Sequence, residues 1–298
     1  MRVLVTGSNG FIGKYICEYY KKDNYVIGVG RRETSVTDVD EYIKCDFAND
    51  DIFEVLDPVF AKGIDYVIHV AADNRVEPMC VEVVKSNCIG TQALLELSEK
   101  SNVKKYVQLS SVPVIGSPEE LPVSISSKIN PPTVYHATKY FQEILADYAY
   151  RKHGLRTVSI RIPSPMAPGV TERYIFPTFI RKAIAGEDLE IYGSGTRKQT
   201  YIHVSDIVNA IDLAVKSDCV GAYVLGSHNL ISNIDLAKKV IEVLNSSSNI
   251  VYNGKDDPYD SQEWQIDYKP FSLATGYEAK VLLEEMIKEY RDYIVQKD

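Results

Sequence analysis

The chain begins with Met1-Arg-Val-Leu-Val-Thr-Gly-Ser-Asn-Gly-Phe-Ile-Gly13. Residues 2–6 are an apolar run typical of a buried strand, and three glycines follow with the spacing GxxGxxG. Gly7 permits a tight turn, Gly10 lets a pyrophosphate approach the backbone, and Gly13 lets a helix pack on the strand. The helix N-terminus then offers free N–H groups to phosphate. A glycine-rich turn without a ligand is the alternative, but the flanking strand and helix favour a dinucleotide site.

The rest of the first half alternates strands with helices. Apolar runs predict strands at 25–29, 66–70, 105–109 and 157–161. Helical spacing predicts helices at 11–22, 51–62, 83–100 and 134–153. This alternation predicts an α/β fold, a Rossmann doubly wound parallel sheet covered on both faces.

The pattern changes after residue 161. A helix near 177–185, a strand at 189–192, a polar loop over 245–268 and a last helix at 279–295 are predicted. We predict an NAD(P)-binding Rossmann domain over residues 1–162 and a smaller, mainly substrate-binding lobe over 163–298. A strand and helix near 196–216 are expected to return to the first domain.

Composition limits the partners and the compartment. The apolar fraction of 45% is that of a soluble globular protein, and the net charge of -8 does not favour nucleic acid. The five cysteines contain no CxxC pair, which argues against a metal site and for a reducing compartment. Since neither a signal peptide nor a membrane-length apolar run is seen, we expect a cytoplasmic protein without a membrane partner.

The residues after the second predicted strand bear on the choice of cofactor. An NAD site usually has an acidic residue here, whereas this chain has Gly30-Arg31-Arg32. Arginine suits the 2′-phosphate of NADP, because a guanidinium binds it through two hydrogen bonds. Two solvated arginines beside NAD are the alternative. The sequence favours NADP.

The stretch Tyr135-His-Ala-Thr-Lys139 places a phenol and an ammonium one turn apart on a predicted helix. A phenol with a pKa of about 10 is a poor base at neutral pH, but a neighbouring ammonium and the positive nicotinamide of the cofactor lower that pKa. The pair can then exchange a proton with a substrate oxygen while a nicotinamide exchanges a hydride. Tyr135 and Lys139 are therefore predicted to be catalytic. His136 is either a proton relay or a packed side chain.

Further motifs follow in order along nearly the whole chain. With the glycine loop and the Tyr-Lys pair, these motifs are Cys45-Asp-Phe47, Val67-Ile-His-Val-Ala-Ala72, Asn87-Cys-Ile-Gly-Thr91, Leu109-Ser-Ser-Val-Pro-Val-Ile-Gly116, Leu189-Glu-Ile-Tyr-Gly-Ser-Gly195 and Tyr201-Ile-His-Val-Ser-Asp206. Together they resemble the extended short-chain dehydrogenase/reductase superfamily, specifically its NAD-dependent epimerase/dehydratase family of nucleotide-sugar enzymes.

The resemblance implies further site residues. Ser111 takes the place of the catalytic serine or threonine that bonds the reacting oxygen, and Ser110 is the competing candidate. Besides the three glycines and two arginines, the implied cofactor-binding residues are Ser8, Asn9, Phe11, Ile12, Asp46, Phe47, Val70, Ala71, Ala72, Asn87, Tyr135, Lys139 and Pro163. The implied substrate-binding residues are Asp73, Ser111, Ser164, Arg197 and Gln199.

Departures from the family narrow the chemistry. The 4,6-dehydratases resembled here carry Asp-Glu after the catalytic residue, whereas this chain has Val112-Pro113, which cannot carry a proton. Gln199 stands where an arginine usually grips the nucleotide, and Arg197 or Lys198 could replace that arginine. Ser164 stands where an asparagine is usual. These changes leave open a differently held nucleotide sugar or a smaller carbonyl compound.

We therefore predict an NAD(P)-dependent epimerase or reductase that acts by hydride transfer on a sugar carbinol or keto group. A nucleotide sugar is the expected substrate. The alternatives are an NADPH-dependent reductase of a non-nucleotide carbonyl compound and a non-catalytic dinucleotide-sensing protein. The resemblance also implies a homodimer paired through helices at about 87–101 and 134–153.

Overall fold

The computed structural model describes residues 1–75 and 80–296, and a seven-stranded parallel sheet lies at its centre. The strands are β1 (Arg2–Thr6), β2 (Tyr25–Gly30), β3 (Glu41–Lys44), β4 (Tyr66–His69), β5 (Lys105–Ser111), β6 (Thr157–Ile162) and β10 (Gly221–Val224). They lie in the order β10-β6-β5-β4-β1-β2-β3. Strands β1 to β6 reproduce the dinucleotide-binding order 3-2-1-4-5-6, so the predicted Rossmann fold is confirmed.

Helices cover both faces of this sheet. They are α1 (Phe11–Tyr20), α2 (Ile52–Phe60), α3 (Val81–Val84), α4 (Gly90–Lys100), α5 (Val134–His153) and α7 (Val204–Lys216). Val3 and Val5 of β1 lie in a core shared with α1 and α7, whereas Leu4 lies in a core shared with α2 and α4. This alternation follows from the two-residue period of a strand, and it explains why β1 is apolar throughout.

The second lobe contains short strands and helices that follow β6. A three-stranded sheet is formed by β7 (Ser164–Met166), β9 (Lys198–His203) and β11 (Asn229–Ser232), and β8 (Leu189–Ile191) pairs with β12 (Ile250–Tyr252). The helices of the lobe are α6 (Ile175–Ala185), α8 (Asn233–Leu244) and α10 (Leu283–Val295), whereas α9 (Lys269–Thr275) packs on α7 and β10. Phe176, Tyr201, Leu236 and Tyr290 belong to one apolar core that joins α6, β9, α8 and α10.

Two features of this half differ from the sequence-based expectation. The segment 245–268, expected to be a loop, contains β12, whose three apolar residues stand between polar neighbours. The predicted strand near 196 is β9, and it pairs with β7 and β11 rather than with the central sheet. The helix after it, α7, does pack on α1 and β5. The strand that returns to the central sheet is β10, which pairs with β6.

Within the ranges that the structure describes, no helix has the length and apolar character needed to cross a membrane.

Candidate active site

The glycine loop joins β1 to α1 in a tight turn. Gly7 has a φ of +70°, and Gly10 N donates to Gly7 O at 2.8 Å. A Cβ on Gly13 would lie 2.1 Å from Gly7 O, and a Cβ on Gly7 would lie 2.8 Å from Ala71 N. No side chain caps the N-terminus of α1, so its first N–H groups are available to a phosphate.

A cleft of about 300 Å³ opens beside this loop. The predicted cofactor-binding residues that line it are Gly7, Asn9, Gly10, Arg31, Arg32, Phe47, Val70, Ala71 and Ala72. Cys45 and Ser86, which the sequence did not single out, line it too. Bare glycine backbone, a free helix N-terminus and two arginines along one cleft fit a dinucleotide.

Asp73, predicted to bind substrate, lies in this cleft and not in the larger cavity described below. Its carboxylate pairs with Arg75, and this ion pair and its hydrogen bonds hold the pKa of Asp73 below its ordinary value. The backbone of Asp73 is held by Asn87, whose Oδ1 accepts from Asp73 N at 2.7 Å and whose Nδ2 donates to Asp73 O at 2.9 Å. Asn87, in a π-helical turn at Lys85–Ile89, therefore shapes the cleft from behind.

Other predicted cofactor-binding residues also support the cleft rather than line it. Ser8 is fully buried, and its Oγ donates to Val29 O at 3.4 Å. Asp46 Oδ1 accepts from Ala48 N at 3.0 Å, which shapes the turn after β3. Phe11 and Ile12 pack against the core beneath α1.

The end of β2 carries no acidic residue. Arg31 and Arg32 are both exposed, and Arg32 O accepts from Tyr42 Oη at 2.9 Å. Glu33, the next acidic residue, is paired with Lys44 at 2.5 Å. Two guanidinium groups therefore stand where a carboxylate would bind the ribose of NAD.

A larger cavity of about 730 Å³ is lined by the end of β5 and by the second lobe. Among the predicted site residues, it is lined by Ser111, Pro163, Ser164, Arg197 and Gln199. Pro163, predicted to bind cofactor, lies here and not in the smaller cleft. In the described part of the chain, no three His, Cys, Asp or Glu side chains converge as metal ligands would.

The structure separates the two candidate serines. Ser110 is buried, and its Oγ donates to Glu143 Oε1 at 2.5 Å. Glu143 is in turn paired with the buried Arg161, whose Nε and Nη2 donate to it at 2.9 and 2.8 Å. Ser111, one residue on, lines the cavity. Ser111 is therefore the serine that a substrate can reach.

The sequence analysis missed the role of Glu143 and its buried pairing with Arg161. A signal was present, because Glu143 follows Lys139 by four residues and so shares its helix face.

Helix α5 positions the Tyr-Lys pair against β5 and the turn that follows it. Thr133 caps the helix by accepting from His136 N at 3.3 Å, so α5 starts next to Tyr135. Lys139 is buried, and its Nζ donates to Gln142 Oε1. Burial lowers the pKa of Lys139 to about 8.

The pKa of Tyr135 is raised by the protein itself. Burial, and then the neighbouring Tyr174, raises the pKa of Tyr135 to about 12. The lowering expected from Lys139 together with the positive nicotinamide of the cofactor stays a prediction. A phenol with this pKa keeps its proton at neutral pH, so it is suited to give a proton to a carbonyl oxygen.

His136 is part of the helix cap. Its Nδ1 lies 2.8 Å from Thr133 Oγ1 in a hydrogen bond, and its ring meets the Tyr135 ring edge to face at 5.0 Å. Burial lowers the pKa of His136, which favours the neutral ring. These contacts support the interpretation of His136 as a packed side chain.

Comparison with known proteins places the fold and the site in a family. The model of the NAD dependent epimerase/dehydratase family matches residues 3–226. This chain belongs to that family. The predicted family and enzyme class are therefore confirmed.

Relatives of this epimerase/dehydratase family member match it from end to end. The dTDP-glucose 4,6-dehydratase of Streptomyces niveus is 27% identical over 98% of this chain and 93% of its own length. The structure of UDP-glucose 4-epimerase with UDP-glucose from Thermotoga maritima has a TM-score of 0.87 and 26% identity, over 100% of this chain and 99% of that one. The structure of MoeE5 with UDP-glucose and NAD has a TM-score of 0.84 and 25% identity, over 100% and 99% of the two chains.

Proposed function

We propose that this family member oxidises or reduces one carbon of a nucleotide sugar, as an epimerase or a reductase. The observation that carries the proposal is Ser111 in a cavity of about 730 Å³, with the helix that holds Tyr135 and the buried Lys139 packed against β5 and the turn after Ser111. When bound in the cleft, NAD(P) supplies or accepts the hydride.

The residues of this chain have separate roles in that step. Ser111 Oγ donates a hydrogen bond to the reacting oxygen. Tyr135 gives its proton to that oxygen on reduction and takes it back on oxidation. Lys139, which donates to Gln142 in this structure, would hold the nicotinamide ribose of the cofactor.

The cations of the larger cavity favour a nucleotide sugar over a small carbonyl compound. Arg173, Lys182 and Arg197 all line the cavity, and together they can attract a diphosphate. Arg197 Nε is buried without a hydrogen-bond partner, and the Arg197–Asp257 contact is long, at 3.9 Å. Arg197 therefore retains hydrogen-bonding capacity for a ligand.

The proposal is tested with a panel of uridine and deoxythymidine diphosphate sugars, scored by nicotinamide absorbance and by product isomers. Turnover is expected with at least one of them. Tyr135→Phe should lose turnover by about 10²-fold or more, since general acid catalysis contributes that much. The same variant should bind cofactor as the unaltered protein does. An inert panel with a folded, cofactor-binding protein would favour the dinucleotide-sensing alternative.

We further propose NADP as the preferred cofactor, on the strength of Arg31, Arg32 and the paired Glu33. MoeE5 holds NAD, so the two cofactors are to be compared directly by calorimetry. Replacing both arginines by alanine should weaken NADP binding about 10- to 100-fold, the value of a charge-assisted hydrogen bond, and leave NAD binding unchanged. Arg181→Ala, an exposed position on α6, is the matched control. Equal binding of the two cofactors would contradict the preference.

We also propose a homodimer formed through α4 and α5. An exposed apolar stripe, Phe141, Ile144 and Tyr148, runs along α5, and Ile89 is exposed just before α4. Ile144→Lys should convert a dimer to a monomer in light scattering, because it places a charge within the apolar contact. Leu273→Lys, at the exposed leucine of α9, should leave the dimer intact. A monomeric unaltered protein would refute this assembly.

The domain division and the compartment are also proposals. Residues 1–162 with α7 and β10 form the cofactor domain, because β10 and α7 pack on it.

The five free cysteines fit a cytoplasmic location, which cell fractionation tests.

A further inference from the structure

The cavity wall immediately beyond Ser111 is hydrocarbon. At Ser111 β5 ends, and a 3-10 turn at Val112–Ile115 turns the chain into an apolar core. Val112 and Pro113 both line the cavity, although only 1% of Val112 is exposed. A substrate held by Ser111 therefore meets Pro113, with Val112 packed in the core behind it.

An extended segment at 262–267 also contributes apolar side chains to the cavity. Trp264 N donates to Lys198 O at 3.1 Å, which ties the segment to β9, and Asp267 N donates to Val123 O at 2.8 Å. Residues two apart in an extended segment share a face, and Trp264 and Ile266 both line the cavity.

Trp264 and Ile266 also pack on the core that contains Val112. We call Pro113, Trp264 and Ile266 the apolar wall.

The charged groups of the cavity belong to other elements. Lys182 of α6 pairs with Glu190 of β8 at 2.7 Å, and Arg197 lies 3.9 Å from Asp257. The cavity therefore has a charged portion formed by the second lobe and the apolar wall beside the reacting position.

Two polar side chains of β9 that line the cavity are already engaged in hydrogen bonds. Thr200 Oγ1 donates to Trp264 O at 2.6 Å, and Gln199 Nε2 lies 3.4 Å from both Asn233 Oδ1 and Tyr201 Oη. A substrate hydroxyl placed against the wall would lose its water and meet hydrocarbon instead.

We propose that the sugar carries a methyl group on the ring carbon next to the reacting carbon, so that the substrate is a nucleoside diphosphate 6-deoxyhexose or its 4-keto form. This inference rests on the proposed function and deepens it. In the reducing direction the keto carbon gains the hydride of the cofactor, its oxygen gains the Tyr135 proton, and solvent returns a proton to Tyr135. A dehydration that removes the neighbouring hydroxyl must precede this step, because Val112 and Pro113 hold no acid or base.

Matched substrate pairs test the proposal on the unaltered protein. The probes are nucleoside diphosphate 6-deoxygalactose against galactose and 6-deoxyglucose against glucose, each with uridine and deoxythymidine. The 6-deoxy member should reduce the bound nicotinamide with a kcat/KM about 10- to 100-fold higher, the discrimination that an apolar pocket exerts against an added hydroxyl. In the Tyr135→Phe variant, which should not turn the sugars over, calorimetry should show that the 6-deoxy member of each pair binds more tightly.

Two variants localise the preference. Ile266→Thr puts a hydroxyl on the apolar wall, so it should narrow the preference for the 6-deoxy sugar about 3- to 10-fold, the effect of one hydrogen bond. Val114→Thr puts the same hydroxyl into the core behind the wall, at a position that is fully buried and does not line the cavity, and should leave the preference unchanged. If Ile266→Thr does not fold, the substrate pairs still decide.

Each outcome has a distinct meaning. A 6-hydroxy sugar used as fast as, or faster than, its 6-deoxy partner overturns this inference and leaves the proposed function standing. No turnover of any sugar by a folded, cofactor-binding protein overturns both.

Discussion

Ser110 and Ser111 are neighbours at the end of β5, but successive strand residues point to opposite faces. Ser111→Ala should lower turnover by about 10²- to 10³-fold, the cost of removing one donor to the reacting oxygen, and should change stability by less than about 0.5 kcal/mol. Ser110→Ala should instead cost about 1.5–3 kcal/mol in the free energy of unfolding, because Glu143 loses a buried donor. Urea unfolding and steady-state kinetics measure both. The reverse pattern would make Ser110 the catalytic residue.

His69 makes stability depend on pH. It is fully buried at the end of β4, its Nδ1 lies 2.7 Å from Thr6 Oγ1, and burial, then Lys139, lowers its pKa from 6.5 to about 3. Between these values the unfolded chain binds the proton and the folded protein does not. The His69 contribution is therefore complete above pH 6.5 and falls by about 1.4 kcal/mol per pH unit on acidification.

Urea unfolding at a series of pH values should show this slope in the unaltered protein. His69→Gln should show a shallower slope, because it carries no titrating ring. Equal slopes would mean that carboxylates alone set the acid sensitivity.

At the scale of the element, the start of α5 couples a helix cap to the candidate site. Thr133→Ala should cost about 1 kcal/mol in the free energy of unfolding, the usual loss for an N-cap, and should lower turnover because Tyr135 lies in the first turn. Thr133→Ser keeps the accepting oxygen and should restore both. Chemical denaturation and kinetics on the two variants provide the measurement. Unaltered turnover in Thr133→Ala would show that the cap does not position Tyr135.

The elements also show what sequence could and could not predict. Strands such as β2 are predictable because both faces of the sheet are covered, which makes most of the run apolar. Strands β10 and β12 were not predicted, because β10 is a short segment that starts with glycine and β12 stands in a polar segment, and their pairing partners lie far back along the chain. The assignment of Asp73 to the substrate stays a prediction: Asp73 lines the cofactor cleft, where its backbone is held by Asn87, a tertiary contact that neighbouring residues do not encode.

At the scale of the molecule, α10 packs within the second lobe, and the residues just before it reach the first domain. His203 Nε2 lies 2.7 Å from Glu289 Oε2, and Asp206 Oδ2, at the start of α7, accepts from Val281 N at 3.2 Å. Tyr290, which is 2% exposed, belongs to the lobe core. Tyr290→Ala should cost about 3–5 kcal/mol in the free energy of unfolding through the cavity it leaves.

The destabilisation caused by Tyr290→Ala should affect mainly the binding of the substrate. Sugar-nucleotide binding should weaken in Tyr290→Ala, while cofactor binding, measured by calorimetry, should persist because the cleft is formed by β1, β2 and β4. Val295→Ala, at an exposed position of the same helix, is the control and should change neither. A parallel loss of cofactor binding would show that the two lobes unfold as one unit.

The position of β10 at the edge of the sheet has a consequence for biosynthesis. A nascent chain that has just reached residue 162 holds six of the seven strands, and β6 still presents an unpaired edge. That edge is covered only after 58 more residues, from 163 to 220, and then β10 itself have left the ribosome. During this interval the emerging sheet offers a template for pairing with other chains, a period in which a chaperone would protect it. Expression of the cofactor domain alone should therefore yield soluble protein only when the fragment extends through residue 224.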